Sequence, residues 1–183
     1  MAGIIPASQI DIGRLSILKN KLISDLMSAA RGTSTQQPLI YRDVTPQDVS
    51  PNATSGLQTA QLSNPTALVA DTLLTGQFNT QLPNGVAIGF FGYAAVSPNP
   101  LIQLITFQIG TAVVTSQFEL GPIYADSVQP TGYFDTPPIF TPQQYLNIGF
   151  LASAAVAANA EPFVLLGYIV EPAGRTVQPL AVA

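Results

Sequence analysis

The chain has 183 residues, enough for one domain whose core is large enough to fold without disulfides. Only 9% of the residues are charged, against roughly 25% in an average soluble domain, and 47% are hydrophobic. Neither cysteine nor histidine is present, which excludes thiolate catalysis and removes the commonest general base and the usual zinc ligands.

The N-terminal segment, residues 1–35, is predicted to be an arm that leads into an amphipathic helix. Residues 1–7 are expected to be loose, and Ser8 with Asp11 forms a start signal for a helix from Asp11 to Arg31. The apolar residues of this helix recur at spacings of three and four: Leu15, Leu18, Leu22, Leu26 and Ala29. A stripe of this kind is typical of a helix that packs on another surface.

This segment is also the basic part of the chain. The first 42 residues carry a net charge of +3, whereas the remainder carries −7. The helix residues predicted to contact another subunit or a membrane are Arg14, Leu15, Leu18, Lys19, Lys21, Leu22, Leu26 and Arg31. Packing on its own domain or on a neighbouring subunit is favoured, because three net charges are a weak footprint for a membrane or a nucleic acid. No sequence-specific contact with nucleic acid is expected.

The rest of the chain is predicted to be β structure. Residues 36–65 have the composition of a linker with two short strands, residues 66–176 form the body, and residues 177–183 form a tail. The predicted strands are Leu39–Arg42, Leu57–Leu62, Thr66–Thr75, Val86–Val96, Leu101–Ile109, Ala112–Leu120, Ile123–Asp126, Tyr145–Ala157 and Phe163–Val170, with a long loop at Val128–Gln144. No helical period interrupts the body, so the expected fold is an all-β antiparallel sandwich or barrel of about eight strands.

Two adjacent predicted strands organise the others. In Ala112–Leu120, apolar Val114, Phe118 and Leu120 alternate with polar residues, which is typical of a sheet with one face on a core. Leu101–Ile109 is apolar on both faces, so both faces must be covered, either within a sandwich or by another chain. Val86–Val96 is also apolar on both faces, with Val86, Ile88 and Phe90 on one and Phe91 and Tyr93 on the other.

The inventory of catalytic groups is thin, and no catalytic, cofactor-binding or metal-binding residues are predicted. Paired carboxylates are the remaining option for an enzyme, and the acids of the predicted body are Glu119, Asp126, Asp135, Glu161 and Glu171. Each is expected to be a solvated acid near a strand end or in a loop. A structural calcium site from Asp126 and Asp135 is a further alternative. Four aromatic residues are interpreted as core or subunit contacts rather than as a surface for sugars or peptides: Tyr124, Tyr133, Phe134 and Phe140.

Once the last strand, FVLLGYIVEPAG, is reached, the order of elements resembles that of viral single jelly-roll coat proteins. In particular, it is similar to the small major capsid proteins of tailless icosahedral viruses with an internal membrane. The likeness covers roughly residues 57–175 and consists of layout and composition. It implies an eight-stranded jelly roll of two facing four-stranded sheets, with the Leu101 and Ala112 strands adjacent and the Tyr145 and Phe163 strands in opposite sheets. It also implies a helix that points toward the particle interior or a neighbouring capsomer.

The resulting hypothesis is a structural virion protein, without enzymatic activity or cofactors, that self-assembles through uncharged β surfaces into an icosahedral capsid shell. The expected partners are copies of itself and other capsid proteins, with an internal viral membrane as a contact for the helix. The expected location is the virion, after synthesis in the host cytoplasm. One alternative is a trimeric jelly-roll module that binds a receptor or a glycan through its loops. Another is a carboxylate hydrolase.

Overall fold

The computed structural model describes residues 3–33, 38–45, 48, 58–61, 70–73, 81–97, 99–109, 113–125, 130–152 and 160–174. Within these ranges, two antiparallel sheets enclose one hydrophobic core, and a long N-terminal helix packs on the outer side of one sheet. This architecture confirms the predicted all-β class with one N-terminal helix.

The described elements follow the predicted order closely. The helices are α1 (Ile12–Arg31) and the short α2 (Gly121–Tyr124), and a 3-10 turn spans Ala7–Gln9. The strands are β1 (Ile4–Pro6), β2 (Leu39–Asp43), β3 (Gln58–Gln61), β4 (Ala70–Leu73), β5 (Ala87–Ala95), β6 (Ile102–Ile109), β7 (Val113–Glu119), β8 (Thr131–Phe134), β9 (Ile139–Phe140), β10 (Leu146–Ala152) and β11 (Ala160–Pro172). All predicted strands except Ile123–Asp126 have a counterpart. Residues 57, 62, 66–69, 74–75, 112 and 153–157 of these strands, and the predicted tail at 177–183, lie outside the described ranges.

The two sheets differ in size. The larger contains seven strands in the order β1–β8–β5–β11–β2, with β9 also paired to β5 and β3 also paired to β11. The smaller contains four, in the order β4–β10–β6–β7. Strands β6 and β7 are neighbours, and β10 and β11 lie in opposite sheets, as the resemblance implied. The implied pair of four-stranded sheets is wrong, because β1, β2 and β9 enlarge one of them.

The N-terminal residues are more ordered than their sequence suggested. Residues 1–7 were expected to be a loose arm, but Ile4–Pro6 pairs with β8 at the edge of the larger sheet. The Asp135 carboxylate accepts a hydrogen bond from the Gly3 N–H at 2.9 Å, which anchors the start of this strand. Ile4 packs on the main core, so the arm contributes to the fold.

The region after β7 also differs from its prediction. The strand expected at Ile123–Asp126 is a helical turn through Tyr124, because Pro122 in its first turn favours a helix and cannot donate to a ladder. Asp126 lies outside the described residues. The loop expected at Val128–Gln144 contains β8 and β9, and both pair with β5. Short strands between prolines give little periodic signal, which is why they were missed.

Aromatic side chains fill the space between the sheets. Phe107 of the smaller sheet contacts Phe90 and Phe134 of the larger sheet, with ring centroids 5.4 and 5.6 Å apart. Phe118 stacks on Phe134 at 4.0 Å. All four rings are fully buried, and burial of such large apolar surfaces is the main stabilising contribution to a sandwich of this kind.

A bulge in β6 determines which of its apolar residues reach the core. The ladder with β10 shifts so that β6 carries one extra residue, Gln103. Ile102 therefore joins Ile105 and Phe107 in the core. The prediction that this strand is apolar on both faces is wrong. The face opposite Ile105 and Phe107 carries one large apolar residue, Leu104, together with the polar Thr106 and Gln108.

A second bulge lies in β5. Leu166 pairs with Gly92 and the next residue pairs with Phe90, so Phe91 is the extra residue. Phe90 and Tyr93 both face the main core, whereas Phe91 faces α1. The predicted placement of Tyr93 on the face of Phe91 is therefore wrong. The prediction that β5 is apolar on both faces holds, and α1 covers the second face.

Candidate assembly surfaces

The inner face of α1 is fixed to its own chain. Leu22 and Leu26 are 1% and 0% exposed and pack with Phe91 and Val170 of the larger sheet. Gly89 permits the close approach, because a Cβ there would lie 2.7 Å from Leu22 Cδ1. The favoured interpretation was a helix packed on its own domain or on a neighbouring subunit, and the structure agrees with the first of these.

The ends of α1 are set by local chemistry. Asp11 is the N-cap, and its carboxylate accepts a hydrogen bond from the Arg14 N–H at 3.2 Å. Arg31 lies in the last turn, where its charge favours the negative end of the helix dipole. Gly32 follows in a right-handed conformation and donates its N–H to the Ala30 carbonyl.

The predicted contact residues of α1 divide into three groups by exposure. Arg14, Lys21 and Arg31 are exposed, Leu15, Leu18 and Lys19 are partly buried, and Leu22 and Leu26 are buried. The buried leucines are not free to contact a membrane or a neighbouring subunit. Sequence reasoning missed the exposed apolar residues of the helix, Ile12 (84%) and Ile17 (70%), which lie off the leucine stripe.

A groove of about 530 Å³ lies between α1 and the segment that follows β8. Its apolar floor is formed by residues such as Leu18 and Ile139, and its charged residues are Arg14, Lys21, Asp25 and Asp135. Lys21 and Asp25 form an ion pair, and Asp135 binds Gly3. The groove therefore carries both signs of charge and is partly neutralised by its own contacts.

The outer face of the smaller sheet has a different character. Thr106, at the middle of β6, lies between Gly149 of β10 and Gln117 of β7. Among the side chains described on this face, Glu119 is the charged one, and it lies at the end of β7. Helix α1 packs on β5, β11 and β2 of the other sheet, so the described residues place no equivalent cover here. Away from Glu119, the side chains described on this face are neutral, and such groups cost less to desolvate than charges do.

A charged cluster that the sequence did not reveal fixes β2 to β11. The Arg42 guanidinium contacts both Asp48 oxygens at 2.7 and 2.9 Å and donates from Nε to Glu171 Oε1 at 2.7 Å. The Asp48 and Glu171 side chains are 0% and 2% exposed. Glu171 was expected to be solvated, and that prediction is wrong. The signal for this cluster in the sequence was the presence of Arg42 in a predicted strand, because a charge that is buried in a strand needs a partner.

Electrostatics stabilise the charged forms of Asp48 and Arg42. Burial disfavours the charged form of Asp48, but hydrogen bonds from Arg42 and from the Thr45 N–H and hydroxyl outweigh it and lower its pKa. The hydrogen bond to Asp48 raises the pKa of Arg42, against burial and with help from Glu171. The ion pair between Asp48 and Arg42 is therefore retained at neutral pH.

Among the other candidate residues, those that the structure describes are not brought together into a catalytic site. Glu119 and Asp135 are exposed, and the side chains of Asp126 and Glu161 lie outside the described part of the chain. Phe134 and Phe140 are core residues, and Tyr124 donates its hydroxyl to the Ile102 carbonyl at 2.6 Å while Tyr133 lies beside Phe91. These aromatic residues do not form the exposed sugar- or peptide-binding surface considered as an alternative.

No protein-family model matches this sequence, and no significant match was found among curated proteins or solved structures. Across the described ranges, no helix combines the length and the apolar character needed to cross a membrane. The same residues contain no group of three or more acidic side chains arranged to hold a metal ion.

Proposed function

We propose that this chain is a structural subunit of a virus particle, a jelly-roll capsid protein without enzymatic activity that associates with copies of itself. The observation that carries the proposal is the pairing of the strands. Strands β3–β11, β4–β10, β5–β8 and β6–β7 pair as a set of nested hairpins, with the innermost pair formed by adjacent strands. A jelly roll is such a nest rolled into two sheets.

Two further pairs join the nested hairpins. Strand β11 pairs with β5, and β10 pairs with β6, which gives the orders β3–β11–β5–β8 and β4–β10–β6–β7. These eight strands account for the roll, while β1, β2 and β9 extend one sheet. In this proposal β8 takes the place that the sequence had assigned to a strand at Ile123.

The neutral outer face of the smaller sheet supports assembly over glycan binding. Jelly rolls occur both in viral capsids and in lectins, so the fold alone does not decide between them. Sugar binding by stacking would require exposed rings. Of the four aromatic residues considered for it, Phe134 and Phe140 are buried, and the exposed rings that the structure describes are those of Tyr41 and Tyr145 outside that set. The face around Thr106 can instead be covered by another protein without the cost of desolvating charges.

In the proposed mechanism the shell forms by repeated burial of neutral surface. The roll is rigid, since its aromatic core joins both sheets, and the helix is held against its own sheet. Copies of the chain, together with other capsid proteins, would cover the open sheet face in the virion. The exposed residues of α1, including Ile12 and Ile17, are the part of the helix that remains for contact with a neighbour or with an internal membrane.

The test is the mass of the purified protein in solution, measured by light scattering across concentration. We expect oligomers or particles for the wild type, and smaller species for Thr106→Lys, which places a charge in the middle of the open face. Ser24→Lys, an exposed substitution on α1, is the matched control and should assemble as the wild type does. Thermal unfolding of both variants checks that the fold is intact.

A substitution tests the proposal better than removal of residues 1–35. Such a truncation would uncover Phe91 and Val170, and nonspecific aggregation would follow. A wild-type protein that stays monomeric at all concentrations, alone and with other coat proteins of its particle, would contradict the shell proposal. If such a monomer bound a defined glycan in an array, the receptor-binding alternative would replace it.

A further inference from the structure

Strand β2 forms an edge of the larger sheet, and its one exposed charged residue, Asp43, lies at its end. Its side chains include two exposed large apolar residues, Ile40 (44%) and Tyr41 (53%). Its basic residue, Arg42, is turned into the cluster with Asp48 and Glu171 and so does not guard the edge. Natural edge strands are normally protected by charges, prolines or bulges.

Two other edges among the described strands have such protection. Strand β1, at the opposite edge of the same sheet, has only three residues and ends in Pro6. Strand β7, at an edge of the smaller sheet, has a bulge in its ladder and an exposed acid, Glu119. Ile40 and Tyr41, in the middle of β2, are therefore open to another strand.

The hydrogen bonds of β2 show which of its backbone groups face outward. The Val44 N–H donates to the Gly167 carbonyl, and the Ala173 N–H donates to the Pro38 carbonyl. Even-numbered residues of β2 therefore face β11, since antiparallel ladders alternate in this way. The N–H and carbonyl groups of Leu39 and Tyr41 point away from β11, where the described chain provides no strand.

We propose that β2 pairs antiparallel with β2 of a second copy across a twofold axis at Ile40, which joins two seven-stranded sheets into one continuous sheet. The inference rests on the proposed function for its partner, a second copy of this chain. Backbone hydrogen bonds would supply the contact, and the paired strands would be related as in an isologous dimer.

The side chains select this register among those that the backbone allows. With the axis at Ile40, Leu39 faces Tyr41 of the second copy on one side of the sheet, and the two Ile40 side chains meet on the other. An axis at Arg42 would bring two like charges together, and an axis at Tyr41 would place Asp43 against Leu39. The apolar pattern therefore favours the register at Ile40.

A cysteine cross-link tests the interface directly, because the chain contains no cysteine of its own. In the proposed register the Ile40 residues form a pair that is not hydrogen bonded, with Cα atoms about 4.5 Å apart, which a disulfide can span. Ile40→Cys should give a disulfide-linked dimer as the main species under mild oxidation. Val96→Cys is the matched control, since Val96 is exposed to a similar extent (45%), and it should remain largely uncrosslinked.

A second substitution separates pairing from folding. Tyr41→Pro removes an N–H that faces away from β11, so the internal ladder is retained while the outer one is blocked. The double variant Ile40→Cys/Tyr41→Pro should lose the cross-link, and its thermal unfolding shows whether the fold is retained. An Ile40→Cys protein that cross-links no better than Val96→Cys overturns the proposal, whatever the double variant does.

Light scattering on the same samples distinguishes this proposal from the proposed function. Particles that form without an Ile40 cross-link would refute the β2 interface and leave the shell intact. Cross-linked dimers that never grow larger would support the interface and contradict the shell. A monomer without any cross-link would refute both.

Discussion

The two sheets of the sandwich present different chemistry on their outer faces. The larger sheet has an apolar outer face, formed by residues such as Ala87, Phe91 and Val170, and α1 covers it. The smaller sheet has Thr106 and Gln108 in the middle of its outer face, and the described chain places no helix over it. The chain therefore covers the face that water disfavours and leaves the neutral polar face open.

This difference shows where the unusual hydrophobic content is used. Many of the hydrophobic residues lie in two clusters, the core between the sheets and the contact between α1 and the larger sheet. Apolar surface buried in this way stabilises by about 25 cal/mol per Å². A high apolar fraction thus accounts for the helix on its own sheet, while the low charge is what leaves the open face suited to association.

The largest loss of stability is expected from a substitution in the contact between α1 and the larger sheet. Leu26→Ala is expected to cost about 4 kcal/mol of unfolding free energy, because Leu26 is fully buried and its removal leaves a cavity. Leu104→Ala, on the open face of the smaller sheet, should cost about 1 kcal/mol, since Leu104 is only half-buried. Urea denaturation measures both. Equal losses would mean that the two faces are covered alike.

The next largest loss of stability is expected at the edge of the larger sheet, in the ion cluster of Arg42, Asp48 and Glu171. Arg42→Ala should cost about 3 kcal/mol, the lower end for a buried pair, because 24% of its side chain is exposed. The pKa of Asp48 is lowered in the fold from its ordinary value of 3.8, so its contribution is present above that pH and is lost as the pH falls below it. Urea denaturation of the wild type should therefore show a drop in stability below about pH 4, which Arg42→Ala flattens. Parallel pH profiles would contradict this account.

The parts of the fold that were predicted depend on local patterns. The stripe from Leu15 to Leu26 specifies α1, since spacings of three and four place these leucines on one face of a helix and on no single face of a strand. The alternation at Phe118 and Leu120 likewise specifies one buried face at the end of β7. The predicted alternation does not extend to Val114, because the ladder shifts register at Thr115.

The parts that were missed depend on distant partners. Gln103 and Phe91 become bulge residues only because of the strands beside them, so no pattern within β6 or β5 gives their register. The bond between Arg42 and Glu171 joins residues 129 positions apart. Sequence reasoning supplied the helix residues of the candidate surface, but it missed Ile12, Ile17 and the open edge at β2, because exposure depends on tertiary packing.

A smaller loss of stability is expected when the N-cap of α1 is removed. Asp11→Ala is expected to cost about 1 kcal/mol, since it leaves the Arg14 N–H without its side-chain acceptor. Asp25→Ala on the same helix is the control. Its ion pair with Lys21 is largely exposed, so no measurable loss is expected. Thermal unfolding of the two variants checks the order, and a greater loss for Asp25→Ala would contradict it.

The smallest effect is expected from salt, measured as the mass of the associated protein. This measurement shows which side of the molecule associates. If copies meet through the neutral face around Thr106, raising NaCl from about 0.05 M to about 0.5 M should leave the mass in light scattering unchanged, because screening acts on charges. Cooling should weaken the association, since burial of apolar surface contributes less at low temperature. A mass that falls steeply with salt would instead place the contact on the helix side, at the groove with Arg14, Lys21 and Asp135. The covered sheet, rather than the open one, would then carry the assembly.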